Sequence, residues 1–340
     1  MNSYQLAGPY ILNQDTIEKN MWNVALALLP AVIAASYFFG LYALYLIFAP
    51  AIFAVLLEKP ITEHTFPGDG SAFVTGMLLG FSLPPDVPWW MPLLGVLLAI
   101  IIGKQLFGGL GNNVFNPALV GRGILRLSFA SYFTNWPAPL TGVTTATPLE
   151  IIESDTVISY FSGEGQINLW DMFIGNIPGT VGETSALALL LGASYLFYKG
   201  YIGWRISGGY IISAAIMSVF LGINPLFTIL SGALFLGAFY MATDMVTSPS
   251  SKDGRLIFGI GCGVLTVLLR AYSSFSGGVT FAILAMNGVS YLFDTIFEGP
   301  REGQIKERKK FYQQVALVLI LSVILFFVLG WSGFKISQMI

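Results

Sequence analysis

Apolar residues in this chain come in long runs, and polar residues gather in the gaps between them instead of alternating with them. Runs of the length needed to cross a bilayer as helix, roughly 18–20 residues, or slightly shorter, fall at 21–39, 41–58, 70–84, 88–107, 112–127, 184–199, 205–222, 225–245, 256–270, 275–297 and 313–333. The pattern predicts an all-α polytopic membrane protein with about ten transmembrane helices. Several runs are short or interrupted by Gly and Pro, which predicts broken or half-helices, and such breaks survive at membrane depth only where they line a cavity or are buried in protein. Gly76 to Ser82 resembles Ala188 to Ser194, and Asn116-Pro117 followed by Gly121-Arg122 is echoed by the Ala242–Pro249 stretch followed by Gly254-Arg255. These echoes point to an internal duplication with binding at the repeat interface.

The distribution of Lys and Arg sets the expected orientation. Arg301, Lys306, Arg308, Lys309 and Lys310 crowd the link at 298–312 and assign it to the cytoplasm, whereas the interval from Leu127 to Tyr198 has no basic residue and carries Glu150, Glu153, Asp155, Glu164, Asp171 and Glu183. The expected plan is a cytoplasmic segment at 1–20, a first bundle at 21–127 and an extracytoplasmic loop at 128–183. A second bundle at 184–297, the basic cytoplasmic loop at 298–312 and a last crossing within 313–340 complete it.

Composition narrows the chemistry. Mean hydropathy is +0.74, only 10% of the 340 residues are charged, and the net charge is −2, which excludes a nucleic-acid binder with a basic face. Cys262 is the only cysteine and His64 the only histidine, so the chain holds neither an all-cysteine iron–sulfur cluster nor a bis-histidine haem, and it offers no His-based zinc site. A redox group here is an organic cofactor or is shared with a partner.

Three polar stretches stand out. Thr147-Pro148-Leu149-Glu150 reads as a helix start, with a Thr cap, Pro at the first helical position and Glu closing a capping box. Gly108 to Ala118 contains Asn113 and Asn116-Pro117, and Ala242 to Pro249 contains Thr243 and Asp244. Both gather hydrogen-bonding side chains inside an apolar region, where they must be satisfied by each other or by a ligand. Trp89 and Trp90 read as an interfacial aromatic belt.

Thr144-Thr145-Ala146-Thr147 resembles the Ser/Thr-Gly-Ala-Thr flavinylation motif of the membrane D subunit of the Rnf complex and the related B subunit of the sodium-pumping NADH:quinone reductase. Thr145 stands where that family has Gly, and Thr141 where it has an acidic residue. Asp69-Gly70-Ser71-Ala72, Leu83-Pro84-Pro85, Gly103 to Leu106, Gly108 to Ala118, Ala242 to Pro249 and Gly278 to Asn287 extend the resemblance over nearly the whole chain. The resemblance implies FMN bound covalently to Thr147 as a phosphoester, which requires a flavin transferase, with Thr144 and Thr145 as part of the motif. It also implies a non-covalent riboflavin in the membrane region, to which Asn113, Asn116, Thr243 and Asp244 are assigned as the lining. The expected function is that of a flavoprotein subunit in a bacterial or archaeal plasma membrane, not catalytic alone. With membrane and peripheral partner subunits it would couple ferredoxin:NAD oxidoreduction to Na⁺ or H⁺ movement. Two other readings stand beside it: a solute or water channel, from Asn116-Pro117-Ala118, and a scaffold in which Thr147 is only a helix cap.

Overall fold

A computed structural model describes residues 16–61, 68–134, 136–140, 142, 144–145, 147–149, 158–159, 167–182, 185–273 and 278–297. The expected basic loop at 298–312, the last crossing at 313–333, Thr141 and Glu150 lie outside the described residues. Among them, five helical spans are long and apolar enough to cross a membrane, and three more apolar helices are shorter.

The chain begins with α1 (Ile17–Ala27) and α2 (Leu29–Phe39), which form one 23-residue span. Thr16 caps α1 by accepting from Lys19 N, and Pro30 sits in the first turn of α2, where its missing N–H costs nothing. α3 (Leu41–Glu58) carries Pro50 in its interior. A proline there removes the donor that the Leu46 carbonyl would otherwise receive, and α4 (Ser71–Phe81) presses its backbone against this place. A Cβ at Gly80 would collide with the Leu46 carbonyl, and one at Gly76 with Pro50 O and Ala51. Small residues one turn apart thus bring two helices into backbone contact, a device suited to a solvent in which helices gain nothing from burying apolar surface.

α5 (Trp90–Leu98) runs on as a π-helix, Ala99–Lys104, and a 3₁₀ turn, Gln105–Phe107, closed by Gly108 at φ 103. The apolar run expected at 112–127 becomes helical only at Pro117. Asn116 caps α6 (Pro117–Ser128), its Oδ1 accepting from Ala118 N and Leu119 N. A small β-hairpin follows, β1 (Trp136–Pro137) pairing antiparallel with β2 (Thr144–Thr145), and β3 (Ile158–Ser159) pairs parallel with β4 (Ile167–Asn168). α7 (Leu169–Ile174) leads back to the second bundle.

That bundle contains α8 (Ala186–Lys199), α9 (Trp204–Phe220), α10 (Pro225–Leu230), α11 (Leu234–Leu236) with a second π-helix at Gly237–Met241, α12 (Lys252–Tyr272) and α13 (Gly278–Phe297). The expected single segment at 225–245 is broken. Arg270 of α12 donates to the carbonyls of Thr228, Ser231 and Gly232 at 3.0, 2.9 and 2.7 Å, and the chain reverses there with Gly232 and Ala233 both at φ 59. A charged donor that satisfies three carbonyls makes a non-helical turn tolerable inside the apolar layer. α9 and α12 form the other backbone-close pair, since Gly259 and Gly263 abut Ile206, Tyr210 and Ser213.

Candidate functional site

The hairpin positions Thr147. Trp136 pairs with Thr145 and Pro137 with Thr144. The turn between them is closed by Gly142 N donating to Ala138 O and is tied to α2 by Leu140 N donating to Phe38 O, both at 3.0 Å. Two residues past β2, Thr147 is only 8% exposed, and Pro148 and Leu149 are helical, which agrees with Thr147 as the residue before a helix start. It lines a cavity of about 30 Å³ together with Arg122, Arg126, Trp136, Pro178 and Gly232. Arg122 and Arg126 stand one turn apart on α6, so both guanidiniums reach one side, and both are buried. Arg126 also lies over the Phe133 ring, 5.6 Å from its centroid. A Cβ at Gly232 would crowd Leu149 and Arg270.

This arrangement changes the electrostatic picture given by the local sequence. The acidic residues of the 128–183 interval argue against an anion beside Thr147, but among the described residues the charges that share its cavity are two arginines from α6. The sequence marks Arg122 only as part of the Gly121-Arg122 echo and does not single out Arg126. The signal that points to the pair is two arginines at i and i+4 in a chain with few charges.

The second place is where the two polar breaks meet. Asn113, Asn116, Thr243 and Asp244, taken from positions over a hundred residues apart, all line one cavity of about 80 Å³, with Asn20, Ser71 and Lys104 also in its wall. Asn116 Nδ2 donates to Met241 O at 3.2 Å, Thr243 Oγ1 to Phe239 O at 2.6 Å, and Thr247 Oγ1 to Asp244 Oδ2 at 3.0 Å. The amide of Asn287, oriented so that both its ends are satisfied, donates to Ile283 O at 2.9 Å and accepts from Asn116 N at 3.0 Å. Much of the polarity of the two breaks is therefore satisfied internally. Two atoms are exceptions. Asn113 Oδ1 and Asn20 Oδ1 are buried without a hydrogen-bond partner among the described residues, and an orphaned carbonyl oxygen in such a place is an acceptor waiting for a donor.

Lys104 closes the π-helix and is the one cation among the described residues of that wall, 1% exposed. Its Nζ lies 2.6 Å from Glu58 Oε1 and donates to Ser71 Oγ at 2.6 Å, while Gln105 Nε2 donates to Glu58 Oε1 at 2.8 Å. An ammonium so deep requires a counter-charge, and Glu58 at the end of α3 supplies it. Nothing in the local sequence links the two residues, because they lie 46 positions apart in helices that only packing brings together.

These features define a polytopic helical membrane protein in which two irregular breaks, each preceded by a π-helix, enclose a polar cavity, with a buried threonine beside two arginines at a second site. The family model described as NQR2, RnfD, RnfE family matches residues 5–302, and the chain belongs to that family. It is 41% identical over 316 residues to the D subunit of the Na(+)-translocating ferredoxin:NAD(+) oxidoreductase complex of Acetobacterium woodii, covering 89% of this chain and 96% of the relative. It is 40% identical over 311 residues to the D subunit of the proton-translocating ferredoxin:NAD(+) oxidoreductase complex of Clostridium ljungdahlii, covering 85% and 92%. The D subunit of the ion-translocating oxidoreductase complex of Stutzerimonas stutzeri is 35% identical over 325 residues, covering 83% and 91%.

Proposed function

We propose that this chain is the D subunit of a membrane complex that couples ferredoxin:NAD oxidoreduction to Na⁺ or H⁺ translocation, and that it carries two flavins. FMN is attached through its phosphate to Thr147 by a flavin transferase, and a riboflavin is held in the cavity between the polar breaks. The observation that carries the covalent site is the burial of Thr147 in a cavity it shares with Arg122 and Arg126. Guanidiniums match phosphate oxygens in geometry and charge, and the cavity of about 30 Å³ is of phosphate scale, so the ring system would lie outside it.

For the second flavin, Asn113 Oδ1 and Asn20 Oδ1 suit a ligand rich in N–H and O–H donors, as an isoalloxazine imide and a ribityl chain are. Lys104, the one cation among the described residues of the wall, is paired with Glu58, which suits a flavin without phosphate. At about 80 Å³ the space is tight for three rings, and the pliable side chains of Met21 and Met245 in its wall are the ones to yield. Bound there, a flavin would supply one- and two-electron exchange; the protein would orient it and tune its electronics. The channel reading gains nothing from Asn116-Pro117-Ala118, because the Asn116 side chain is spent on capping α6 and on Met241 O. We place the chain in the plasma membrane with the Thr147 loop outside, among membrane and peripheral partner subunits.

The test is in-gel flavin fluorescence of the denatured chain. Thr147→Ala abolishes the signal on this reading and leaves membrane insertion intact. Full fluorescence in that variant would remove the covalent site from Thr147.

A further inference from the structure

Among the described residues, Gly232 is the part of the Thr147 cavity wall supplied by the break between α10 and α11. It stands in a narrow place. A Cβ built on it would lie 2.6 Å from Leu149 Cδ1 and 2.9 Å from Arg270 Nη2, so the leucine methyl and the guanidinium meet in the space that a side chain would take. Leu149 is the second residue after Thr147. It packs onto a small apolar cluster of Leu169 and Met172 from α7 and Phe227 from α10, apart from the main core.

The break is not a conformation that its sequence adopts unaided. Gly232 and Ala233 both have φ 59, and a buried alanine in the left-handed region persists only where its surroundings fix it. Arg270 of α12 does so. Its Nη1 donates to Thr228 O at 3.0 Å and to Ser231 Oγ at 3.3 Å, and its Nη2 to Ser231 O at 2.9 Å and to Gly232 O at 2.7 Å. A planar fork can hold carbonyls four residues apart at once, which a lysine ammonium on a flexible stem cannot match. Without it, three carbonyls need other donors and the turn must rearrange. Arg270 is not among the residues lining the cavity, so its hold on the site passes through Gly232 and Leu149.

We propose that Arg270 is a positioning residue for flavin attachment. By holding the 228–232 break it seats Leu149, and thereby sets the Thr147 hydroxyl in the cavity shared with Arg122 and Arg126. The inference rests on the reading of Thr147 as the attachment residue and adds to it a residue over a hundred positions away that touches neither the hydroxyl nor the cavity.

The experiment follows covalent flavin on the full chain after it is induced together with the flavin transferase. The readout is in-gel fluorescence per chain over time, counted on chains that elute as one species in mild detergent. Arg270→Gln slows the accrual by at least about tenfold, because a shift of about 1 Å at a reacting group can cost about a hundredfold. Arg270→Lys keeps the charge without the fork, and its rate falls between that variant and the wild type. Leu149→Ala leaves the bonds of Arg270 in place and still slows the accrual, since the contact that transmits the position is gone. Arg270→Gln with Leu149→Ala is no slower than Arg270→Gln alone, whereas two independent injuries to the fold would multiply. A wild-type rate in either single variant overturns the inference, and so do multiplied losses in the double variant. Failure of the Thr147 reading is a different result, full fluorescence in Thr147→Ala. Where Arg270→Gln does not fold, Arg270→Lys and Leu149→Ala decide: wild-type rates in both overturn the inference.

Discussion

Asn116 and Met241 are joined by a hydrogen bond from the side-chain amide of one to the backbone carbonyl of the other, at 3.2 Å. The same Asn116 caps α6 through Oδ1. A single side chain thus starts a helix and ties the first polar break to the end of the second π-helix.

Asn116→Ala should therefore remove a cap, at about 0.5–2 kcal/mol, and strand a buried carbonyl, at about 1–3 kcal/mol. Asn116→Ser keeps a capping oxygen and loses only the donor to Met241 O, so its loss is smaller. Thermal unfolding in detergent ranks the two, and equal losses would show that the cap contributes nothing beyond the bond to Met241.

Asn113→Leu should lower the riboflavin extractable from folded protein severalfold while the covalent fluorescence at Thr147 persists. Asn113 has a buried oxygen without a partner among the described residues, so its replacement breaks less of the fold than Asn116→Leu would. An unchanged flavin ratio moves the second site elsewhere.

If Thr147 carries the flavin as proposed, Arg122→Gln and Arg126→Gln should each reduce the yield of covalent flavin without eliminating it, because both arginines line the cavity that holds Thr147 but neither supplies the bonding atom. The double variant should fall further. Flavin per chain, measured by absorbance after denaturation, reads the effect, and a wild-type yield in the double variant would separate the arginines from the phosphate.

Lys104→Met removes the buried ammonium that pairs with the partly exposed Glu58 and should destabilise the chain by about 1–3 kcal/mol. Glu58→Gln with Lys104→Met should recover part of that loss, because the carboxylate that the ammonium neutralised is gone. Chemical denaturation of the three proteins checks the order; a double variant as unstable as the single one would deny that pairing is what matters.

Trp170→Cys should react with an impermeant maleimide added to intact cells, since Trp170 is exposed and belongs to the loop assigned to the outside. Cys262 is fully buried and stays silent. Labelling that needs ruptured cells would invert the topology.

The hydrophobic runs alone determined the class of this protein and most of its helices. A solvent without hydrogen bonds forces the backbone to satisfy itself, so runs such as 41–58 could hardly be anything but helix. The polar breaks at Gly108–Ala118 and Ala242–Pro249 were visible too, because Asn, Thr and Asp are expensive in an apolar layer. That they share one cavity, which part of their polarity is self-satisfied, and that Asn113 and Asn20 keep unpartnered oxygens were decided only by tertiary packing. The same holds for the one-run reading of 225–245, broken by Arg270 reaching back from α12, for the pairing of Lys104 with Glu58, and for the two arginines beside Thr147. Local sequence encodes which segments leave water; partners distant in sequence decide where their few charges come to rest.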